Sequence, residues 1–294
     1  MKKKFEEITI IGPGLIGGSI GLNFKQKKLA ERIIGIDTSK HNLIDALERG
    51  VIDDYKLKID DTISKSEIIF ICTPVSSINN ILDKIVPFIS KKNIVTDTGS
   101  VKNIFKKATI KRINEVSNFL PGHPVAGTEH SGAKNSLINL FDGKWCILTP
   151  LNQNKSARKI ISDIWKSLGM KIAIMTTDEH DKIMSITSHL PHLIAFTIVN
   201  TAFELDIKKK KELINFSAGG FRDFTRIGSS DSNMWSDIFM ENKKYIISTL
   251  DNFIHDLQKF RELIKNNEKE EIFEILKRTK IIRKSIIKAD DLKK

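Results

Sequence analysis

Cysteine is scarce in this sequence, and its scarcity argues against two classes of protein. Only Cys72 and Cys146 occur among 294 residues, and they form no CxxC pair, so neither a disulfide scaffold nor a structural zinc cluster is expected. Both lie in apolar runs, which indicates buried, reduced thiols and a reducing, cytoplasmic compartment. Apolar runs of about 18 residues are lacking as well, so no membrane span is expected.

Negative charge and tyrosine are also in short supply. The chain has 48 Lys and Arg against 36 Asp and Glu, a net charge of +12, with two Tyr and 16 Phe. This excess fits nucleic acid, an anionic membrane or small anionic substrates, although a compositional bias of the chain also explains it. A basic nucleic-acid-binding protein is the remote alternative, because the phenylalanines fall in apolar periodic runs and no nucleic-acid-binding motif occurs.

The first half of the chain alternates short β-branched runs with amphipathic stretches. Residues 8–11, 33–36 and 68–72 predict strands, and residues 15–25 and 78–89 predict helices. This order predicts a Rossmann-type, doubly wound parallel sheet with helices on both faces. The second half is helical in period. We therefore expect an α/β domain over residues 1–176 and an all-α domain over residues 177–294.

A long apolar stretch opens the second half. Residues 178–203 are apolar on most sides, which predicts a buried helix, and Pro191 predicts a kink or a compensated break within it. This helix and the C-terminal helices carry more apolar surface than a lobe of about 120 residues readily hides. A homodimer through the helical domain is therefore expected.

A glycine-rich turn follows the first predicted strand. The GxGxxG motif of this turn comprises Gly12, Gly14, Leu15, Ile16 and Gly17. Its glycines permit the tight turn, the approach of a pyrophosphate to the backbone, and close packing of helix on strand. The second predicted strand ends at Asp37, whose carboxylate accepts hydrogen bonds from ribose hydroxyls and repels a 2′-phosphate. The pattern predicts a dinucleotide-binding domain that uses NAD in preference to NADP.

The third predicted strand ends in the loop CTPVSS, residues 72–77. This loop lies at the carboxyl edge of the sheet, where open α/β folds bind their ligands. We expect Thr73, Pro74 and Val75 to line the nicotinamide end of the cofactor site. The alternative is an ordinary turn at the end of a strand.

Four further segments combine polar residues with glycine and proline: VTDTGSVK (95–102), PGHPVAGTEHSG (121–132), SHLPH (188–192) and GGFRDFTRIGSS (219–230). Together with GPGLIGGSIG, this set resembles the prephenate dehydrogenase family of the tyrosine pathway, which includes arogenate dehydrogenases. The resemblance covers about residues 8–240. It implies NAD-dependent oxidative decarboxylation, in which prephenate loses a hydride and its ring carboxylate and becomes 4-hydroxyphenylpyruvate.

The implied chemistry needs a base, because the hydroxyl on the oxidised carbon must lose its proton. A neutral histidine suits this role near pH 7. The resemblance assigns the role to His123, and it assigns Ser100 to holding the substrate hydroxyl or orienting the histidine. The chain has no GxSxG elbow, so Ser100 is not expected to be a hydrolase nucleophile.

Prephenate carries two carboxylates, so its pocket needs cations. The resemblance implies that Arg226 binds a substrate carboxylate, for which its planar guanidinium is suited. Arg222 lies one helical turn away and adds positive field. His189 and His192 share a helix face beside the substrate tail, and no metal is expected because no carboxylate set accompanies the HxxH spacing. Glu129 gates the pocket in this resemblance; the alternative is a solvated loop carboxylate.

Two questions remain open at this stage. Arogenate has an ammonium group where prephenate has a ketone, and an ammonium requires a nearby carboxylate. The His189 and His192 pair has no acid between its members and favours prephenate, whereas Asp223 and Glu129 keep arogenate open. A β-hydroxyacid dehydrogenase is a further alternative, but such enzymes rely on a lysine in the helical half, and the polar signature here centres on His123.

Overall fold

The chain begins as alternating strands and helices and continues as helices alone. A computed structural model describes residues 4–152, 154–205 and 215–291. Its strands are β1 (Phe5–Ile11), β2 (Ala30–Ile36), β3 (Asp54–Lys56), β4 (Ile68–Ile71), β5 (Ile94–Asp97), β6 (Asn118–Phe119), β7 (Gly122–Pro124), β8 (Trp145–Leu148) and β9 (Lys171–Ile174).

The helices of the strand-rich half are α1 (Leu15–Gln26), α2 (Lys40–Glu48), α3 (Ile78–Ile85), α4 (Lys107–Val116) and α5 (Lys155–Ser167). The later helices are α6 (Thr177–Met184), α7 (Leu190–Leu205), α8 (Gly219–Ile227), α9 (Ser232–Glu241), α10 (Lys243–Lys265) and α11 (Lys269–Asp291). Residues 1–245 form one compact unit and residues 246–294 a second.

The main sheet is parallel and has the strand order β3-β2-β1-β4-β5-β6. This is the doubly wound Rossmann order, with the switch point between β1 and β4, and it confirms the predicted fold class. The strands β1 and β4 are isoleucine-rich and buried on both faces, as a parallel sheet covered by helices requires. Ligands of such sheets bind outside the carboxyl ends of the strands at this switch point.

A second, three-stranded sheet has the order β7-β8-β9, with β7 antiparallel to β8. The sequence pattern predicted one parallel sheet, so this separate sheet was not expected. The three-residue strand β7 crosses from the end of β6 and pairs His123 with Ile147. The histidine of the GHP segment therefore lies on a short hydrogen-bonded strand instead of a free loop.

The long apolar stretch forms α6, a π-helical turn at Ser185–His189, and α7. Pro191 follows the π turn as the second residue of α7. Proline has no N–H to donate to the preceding turn of an α-helix. The π turn just before Pro191 is therefore the predicted break in the helix. A buried helix was predicted here, and that prediction is wrong: Ile183, Ile186 and Ile198 are 42%, 54% and 38% exposed.

The helical stretch Thr177–Glu204 is long and apolar enough to cross a membrane, judged by length and composition alone. Only 22% of its most apolar window is buried in this chain. One such helix is weak evidence for a membrane span, because helices that pack in soluble proteins pass the same test. The exposed isoleucines could pack against the surface of another protein as well as against lipid.

Candidate active site

The glycine turn after β1 has the backbone that the sequence pattern requires. Gly12 has φ +81°, and a Cβ there would lie 2.8 Å from the Cys72 carbonyl oxygen. A Cβ on Gly17 would lie 2.5 Å from the Gly12 carbonyl oxygen. A Cβ on Gly14 would have no atom within 4 Å, so the space beside it is open. The first and third glycines thus allow the turn to pack, and the second leaves room for a ligand to approach the backbone.

A cavity of about 860 Å³ opens beside this turn. Among the predicted cofactor residues, the cavity is lined by Gly12, Gly14, Asp37, Thr73 and Pro74. Apolar lining residues that the sequence analysis did not name are Leu57, Ile59, Ile81 and Phe88. No sequence pattern pointed to these four residues, because they belong to separate segments that come together only in the folded chain. The cavity has the polar rim and apolar wall of a nucleotide site.

Four predicted cofactor residues lie behind the cavity surface. Leu15 and Ile16 pack half-buried against the core on one side of the sheet, and Gly17 supports the turn from within. Val75 was expected to line the nicotinamide end, but it is 5% exposed and belongs to the core on the other side of the sheet. Val75 begins a 3-10 turn (Val75–Ser77) that follows Pro74 and leads into α3.

Asp37 is held in place by the first turn of α2. One carboxylate oxygen accepts a hydrogen bond from the Ser39 N–H (2.9 Å), and the other accepts one from Asn42 Nδ2 (2.7 Å). The Asn42 side-chain oxygen in turn accepts a hydrogen bond from the Ala133 N–H (3.1 Å). The carboxylate is therefore oriented before any ribose binds, and it is tied to the segment that follows Glu129.

His123 lies on β7 at the carboxyl end of the main sheet and is 8% exposed. Its Nδ1 lies 2.8 Å from Nε2 of His180, and His180 Nδ1 lies 2.7 Å from an oxygen of Asp181. The Asp181 carboxylate also accepts hydrogen bonds from the backbone N–H groups of Lys102 (2.8 Å) and Asn103 (2.7 Å). His180 and Asp181 were not among the predicted site residues, because the segment DEHD has only the appearance of an acidic helix start.

A capping box sets the position of these two residues. The Thr176 hydroxyl accepts a hydrogen bond from the Glu179 N–H (3.2 Å), and the Glu179 carboxylate accepts one from the Thr176 N–H (2.8 Å). This reciprocal pair starts α6 at a defined residue. His180 and Asp181 therefore occupy the first turns of a helix whose register is locally determined.

A buried ion pair lies within the DTGSVK segment, and its carboxylate also contacts β7. Lys102 and Asp97 are both fully buried, with Nζ 2.5 Å from the carboxylate. Asp97 also accepts hydrogen bonds from the N–H groups of Gly99 (2.8 Å) and Gly122 (3.3 Å). Ser100 is half-buried in this segment and makes no hydrogen bond among the described residues. Nδ1 of His123 is in contact with His180, so Ser100 does not orient the His123 ring through that nitrogen.

The histidines of the cluster are uncharged at neutral pH. Burial lowers the pKa of His123 well below its ordinary value of 6.5, and repulsion from His180, Lys102 and His189 lowers it further. Burial also lowers the pKa of His180, although the hydrogen bond to Asp181 acts in the opposite direction. For His189, burial lowers the pKa to about 4. The cluster therefore presents neutral imidazoles, the form that can accept a proton.

His189 and His192 emerge from the π turn and the start of α7. Asn242 Nδ2 donates to the Asp181 carbonyl oxygen (2.9 Å) and lies 3.0 Å from His189 Nδ1, so His189 carries its proton on Nε2. This Nε2 is buried without a hydrogen-bond partner among the described residues. His192 stacks on Trp235 with the ring centres 3.7 Å apart.

The predicted cations and gate lie at the surface. Arg226 and Arg222 are exposed on α8, and Glu129 is exposed in the loop after β7. Arg226 lies near enough to His192 to lower the pKa of that histidine, after burial, by repulsion. No hydrogen bond or ion pair joins Arg222 or Glu129 to the histidine cluster in the part of the chain that the structure describes. That part also contains no cluster of His, Cys, Asp or Glu fit to hold a metal ion.

Two family models together match most of the chain. One, described as prephenate dehydrogenase, nucleotide-binding domain, matches residues 20–174, and the other, described as prephenate dehydrogenase, dimerization domain, matches residues 176–278. The chain belongs to the prephenate dehydrogenase family. Membership in this family agrees with the resemblance drawn from the sequence motifs.

Similar proteins of the prephenate dehydrogenase family extend over nearly the whole chain. A prephenate dehydrogenase of Bacillus subtilis is 33% identical over 95% of this chain and 76% of its own length. A cyclohexadienyl dehydrogenase of Zymomonas mobilis is 31% identical over 98% of this chain and 99% of its own. The crystal structure of prephenate dehydrogenase from A. aeolicus in complex with hydroxyphenyl propionate and NAD⁺ is 34% identical, with a TM-score of 0.88, and covers 97% of this chain and 100% of that one.

Proposed function

We propose that this chain is an NAD-dependent prephenate dehydrogenase, which converts prephenate to 4-hydroxyphenylpyruvate and CO2 in tyrosine biosynthesis. The observation that carries the proposal is the neutral, buried His123 at the carboxyl end of a Rossmann sheet, in a chain of the prephenate dehydrogenase family. The relatives from Bacillus subtilis and A. aeolicus, named for this activity, support the same function.

The glycine turn and Asp37 fit NAD. The open space at Gly14 admits a pyrophosphate to the backbone, and the Asp37 carboxylate is oriented for ribose hydroxyls and repels a 2′-phosphate. Thr73 and Pro74 line the same cavity toward the end of β4. When bound, the cofactor supplies the acceptor for the hydride that leaves the substrate.

The chemistry of the substrate assigns a role to each polar group. His123 takes the hydroxyl proton while the ring carbon loses its hydride, which forms a dienone. The C–C bond to the ring carboxylate then breaks, CO2 leaves, and its electron pair makes the ring aromatic. His123 returns the proton to the phenolate oxygen, so the base is regenerated. Ser100 donates a hydrogen bond to the substrate oxygen during both proton transfers.

The carboxylates of prephenate need donors, and Arg226 and His189 supply them. Arg226 offers two parallel N–H donors. His192 lies beside it and donates its Nδ1–H to the Ser188 carbonyl oxygen (2.9 Å), so its neutral ring lines the site without donating to the carboxylate. His189 offers a buried Nε2–H that has no partner among the described residues, and a buried donor of this kind is stabilised when a ligand oxygen accepts from it. Arg222 adds positive field, and Glu129 gates the entrance from its exposed loop.

The two predicted domains, which meet near residue 176, have separate roles. Residues 1–176 bind the dinucleotide, and residues 177–294 bind substrate and form a homodimer in the cytoplasm. The family model for a dimerization domain, which matches residues 176–278, supports this division, as do the exposed isoleucines of the helix at 177–204. No nucleic acid, membrane or metal is needed for the reaction.

The decisive experiment is NADH formation when prephenate is added to the protein and NAD. We expect turnover with prephenate and little with arogenate, because no carboxylate lies between His189 and His192 to receive an ammonium group. A tenfold preference for arogenate would overturn the substrate assignment, and absence of NADH with either substrate would overturn the function.

His123→Asn tests the base. Turnover is expected to fall by roughly 10²-fold or more, the usual effect of losing an acid–base group, while NAD affinity stays unchanged. His130→Asn is the matched control, because His130 is exposed on the neighbouring loop. Near-normal turnover by His123→Asn would remove His123 from this role.

A further inference from the structure

We propose that His180 and Asp181 are positioning residues, which hold His123 in the tautomer whose Nε2 is free to take the substrate proton. This inference rests on the proposed function, since it concerns the base of that reaction. It is carried by two consecutive contacts among three residues of the buried cluster. They run from the carboxylate of Asp181 through the ring of His180 to Nδ1 of His123.

The chain of contacts starts at an acceptor. An ionised carboxylate has no proton to donate, and the Asp181 carboxylate already accepts from the N–H groups of Lys102 and Asn103. The Nδ1 of His180, 2.7 Å from the same carboxylate, must therefore carry a proton and donate it. A neutral imidazole has one N–H, so the Nε2 of His180 is unprotonated.

The contact between His180 and His123 then determines which nitrogen of His123 carries the proton. The Nε2 of His180 and the Nδ1 of His123 are 2.8 Å apart, a distance that needs one proton between two nitrogens. Since His180 Nε2 carries none, His123 Nδ1 must donate. The neutral His123 therefore holds its lone pair on Nε2, and the opposite tautomer would leave two lone pairs in contact.

The same contacts stabilise the charge that forms during turnover. When His123 takes a proton it becomes an imidazolium, and its Nδ1–H donates to His180, which donates in turn to a carboxylate. A hydrogen bond from a charged donor is about twice as strong as a neutral one, so the charged state gains more from His180 than the neutral state does. This gain opposes the burial and the repulsion from His180, Lys102 and His189 that disfavour the imidazolium.

A structural role alone is the competing explanation. Asp181 joins α6 to the DTGSVK segment through two backbone hydrogen bonds, so its removal can loosen the site without any effect on a tautomer. Variants at His180 are better probes, because among the described residues its ring is hydrogen-bonded to His123 and Asp181 alone. His180 itself is faced by Asp181, Asp97 and Lys102, and none of these changes in such variants.

The first measurement compares His180→Leu with His180→Gln in the full-length protein. His180→Leu removes the acceptor, so turnover should fall by roughly 10²-fold with KM for NAD and prephenate within about threefold of wild type. The acid limb of kcat/KM should move to lower pH, because the imidazolium of His123 loses its partner. His180→Gln offers an amide oxygen to the Nδ1–H, so it should recover at least tenfold of the lost turnover, with the acid limb returning towards that of wild type.

The control is Asp178→Asn, which changes an exposed acid two residues before His180 on the same helix. It should leave turnover and the pH profile as in wild type. Unchanged turnover and an unmoved acid limb in His180→Leu would overturn the inference while wild-type turnover still upheld the function. A loss of turnover that His180→Gln does not relieve, with the acid limb unmoved, would also overturn it.

The second measurement needs no turnover. Nitrogen-15 NMR of histidine-labelled wild-type protein distinguishes protonated from unprotonated ring nitrogens, with His123→Asn used to assign the signals. At neutral pH we expect Nδ1 of His123 protonated and Nε2 unprotonated. The reverse assignment would overturn the inference, whatever the kinetics of the His180 variants.

Discussion

The substrate side of the site combines neutral and charged residues in separate layers. The histidines are buried and uncharged, whereas Arg226 and Arg222 are exposed on α8. A buried cation beside His123 would make its protonation harder, because like charges disfavour the imidazolium. Lys102 is a buried cation near the cluster, and its contact with Asp97 offsets part of its charge and so limits the repulsion that His123 feels. Substrate carboxylates are thus attracted from the surface without a free positive charge beside the base.

At the same scale, Arg226→Ala should mainly raise KM for prephenate. Loss of a charge-assisted carboxylate contact is worth about 1.5–3 kcal/mol, or roughly 10- to 150-fold in KM, with kcat changed much less. Steady-state kinetics will measure both constants. Arg222→Ala is the matched control, with a smaller effect expected because Arg222 contributes field and no direct contact. An unchanged KM in Arg226→Ala would contradict the role of Arg226.

At the scale of elements, the turn from β1 to α1 separates packing from binding. Gly12 and Gly17 meet neighbouring backbone atoms closely, whereas Gly14 faces open space. The same three-glycine motif therefore contains two residues that the fold requires and one that only a ligand requires. This distinction is visible in the structure and not in the spacing of the glycines.

Gly17→Ala and Gly14→Ala form a matched pair. Gly17→Ala places a methyl 2.5 Å from a carbonyl oxygen, so it should lower the melting temperature by several degrees. Gly14→Ala should melt near the wild-type temperature and bind NAD at least tenfold more weakly, because its methyl fills the space for the pyrophosphate. Thermal melting and NAD titration check both expectations. A Gly14→Ala protein with wild-type NAD affinity would contradict the proposed use of that space.

For the whole molecule, buried neutral histidines make stability depend on pH. The pKa of His189 is about 4 in the folded chain and 6.5 in an ordinary environment. The unfolded chain therefore takes up the proton first, so stability is intact above pH 6.5 and falls as the pH drops towards 4. The shift at His189 lowers the free energy of unfolding by about 3 kcal/mol at low pH. The lowered pKa values of His123 and His180 also decrease stability as the pH falls.

Chemical denaturation between pH 7.5 and pH 4 measures this dependence. We expect the free energy of unfolding to decrease through this window. His189→Gln should flatten part of the decrease, because glutamine does not titrate, whereas the exposed control His130→Gln should leave the curve unchanged. A curve that is level below pH 6.5 would contradict the neutral state of the cluster.

The last two helices carry a large apolar surface. Within residues 246–294, the exposed apolar side chains are Ile247, Ile254, Leu257, Ile264, Phe273, Leu276, Ile281 and Ile282. A single chain rarely exposes so many, which favours a second copy as the partner. Light scattering should give twice the mass of the chain, and a monomer at micromolar concentration would contradict the proposed homodimer. Leu257→Asp should shift the mass towards that of the monomer.

Much of this protein was predictable because its informative residues are close together in the sequence. The glycine turn, Asp37 and the strand–helix alternation are local patterns, and the structure confirms the sheet and the turn. The second sheet was missed because β7 has only three residues, flanked by proline and glycine that resemble a loop. Burial of the helix at 177–204 was overestimated because apolar composition does not distinguish a core from a surface that awaits a partner.

The sequence by itself determined the Rossmann sheet and the nucleotide turn, since local hydrogen bonding and apolar periodicity specify them, and its resemblance to a known family named the candidate base. Only the tertiary structure decided which groups surround that base. His180 lies 57 residues from His123, and Lys102 lies 79 residues from Asp181. No local pattern encodes such contacts, because they arise when α6, β7 and the DTGSVK segment pack against one another. The tautomer of His123 depends on that packing, and so does the proposed chemistry.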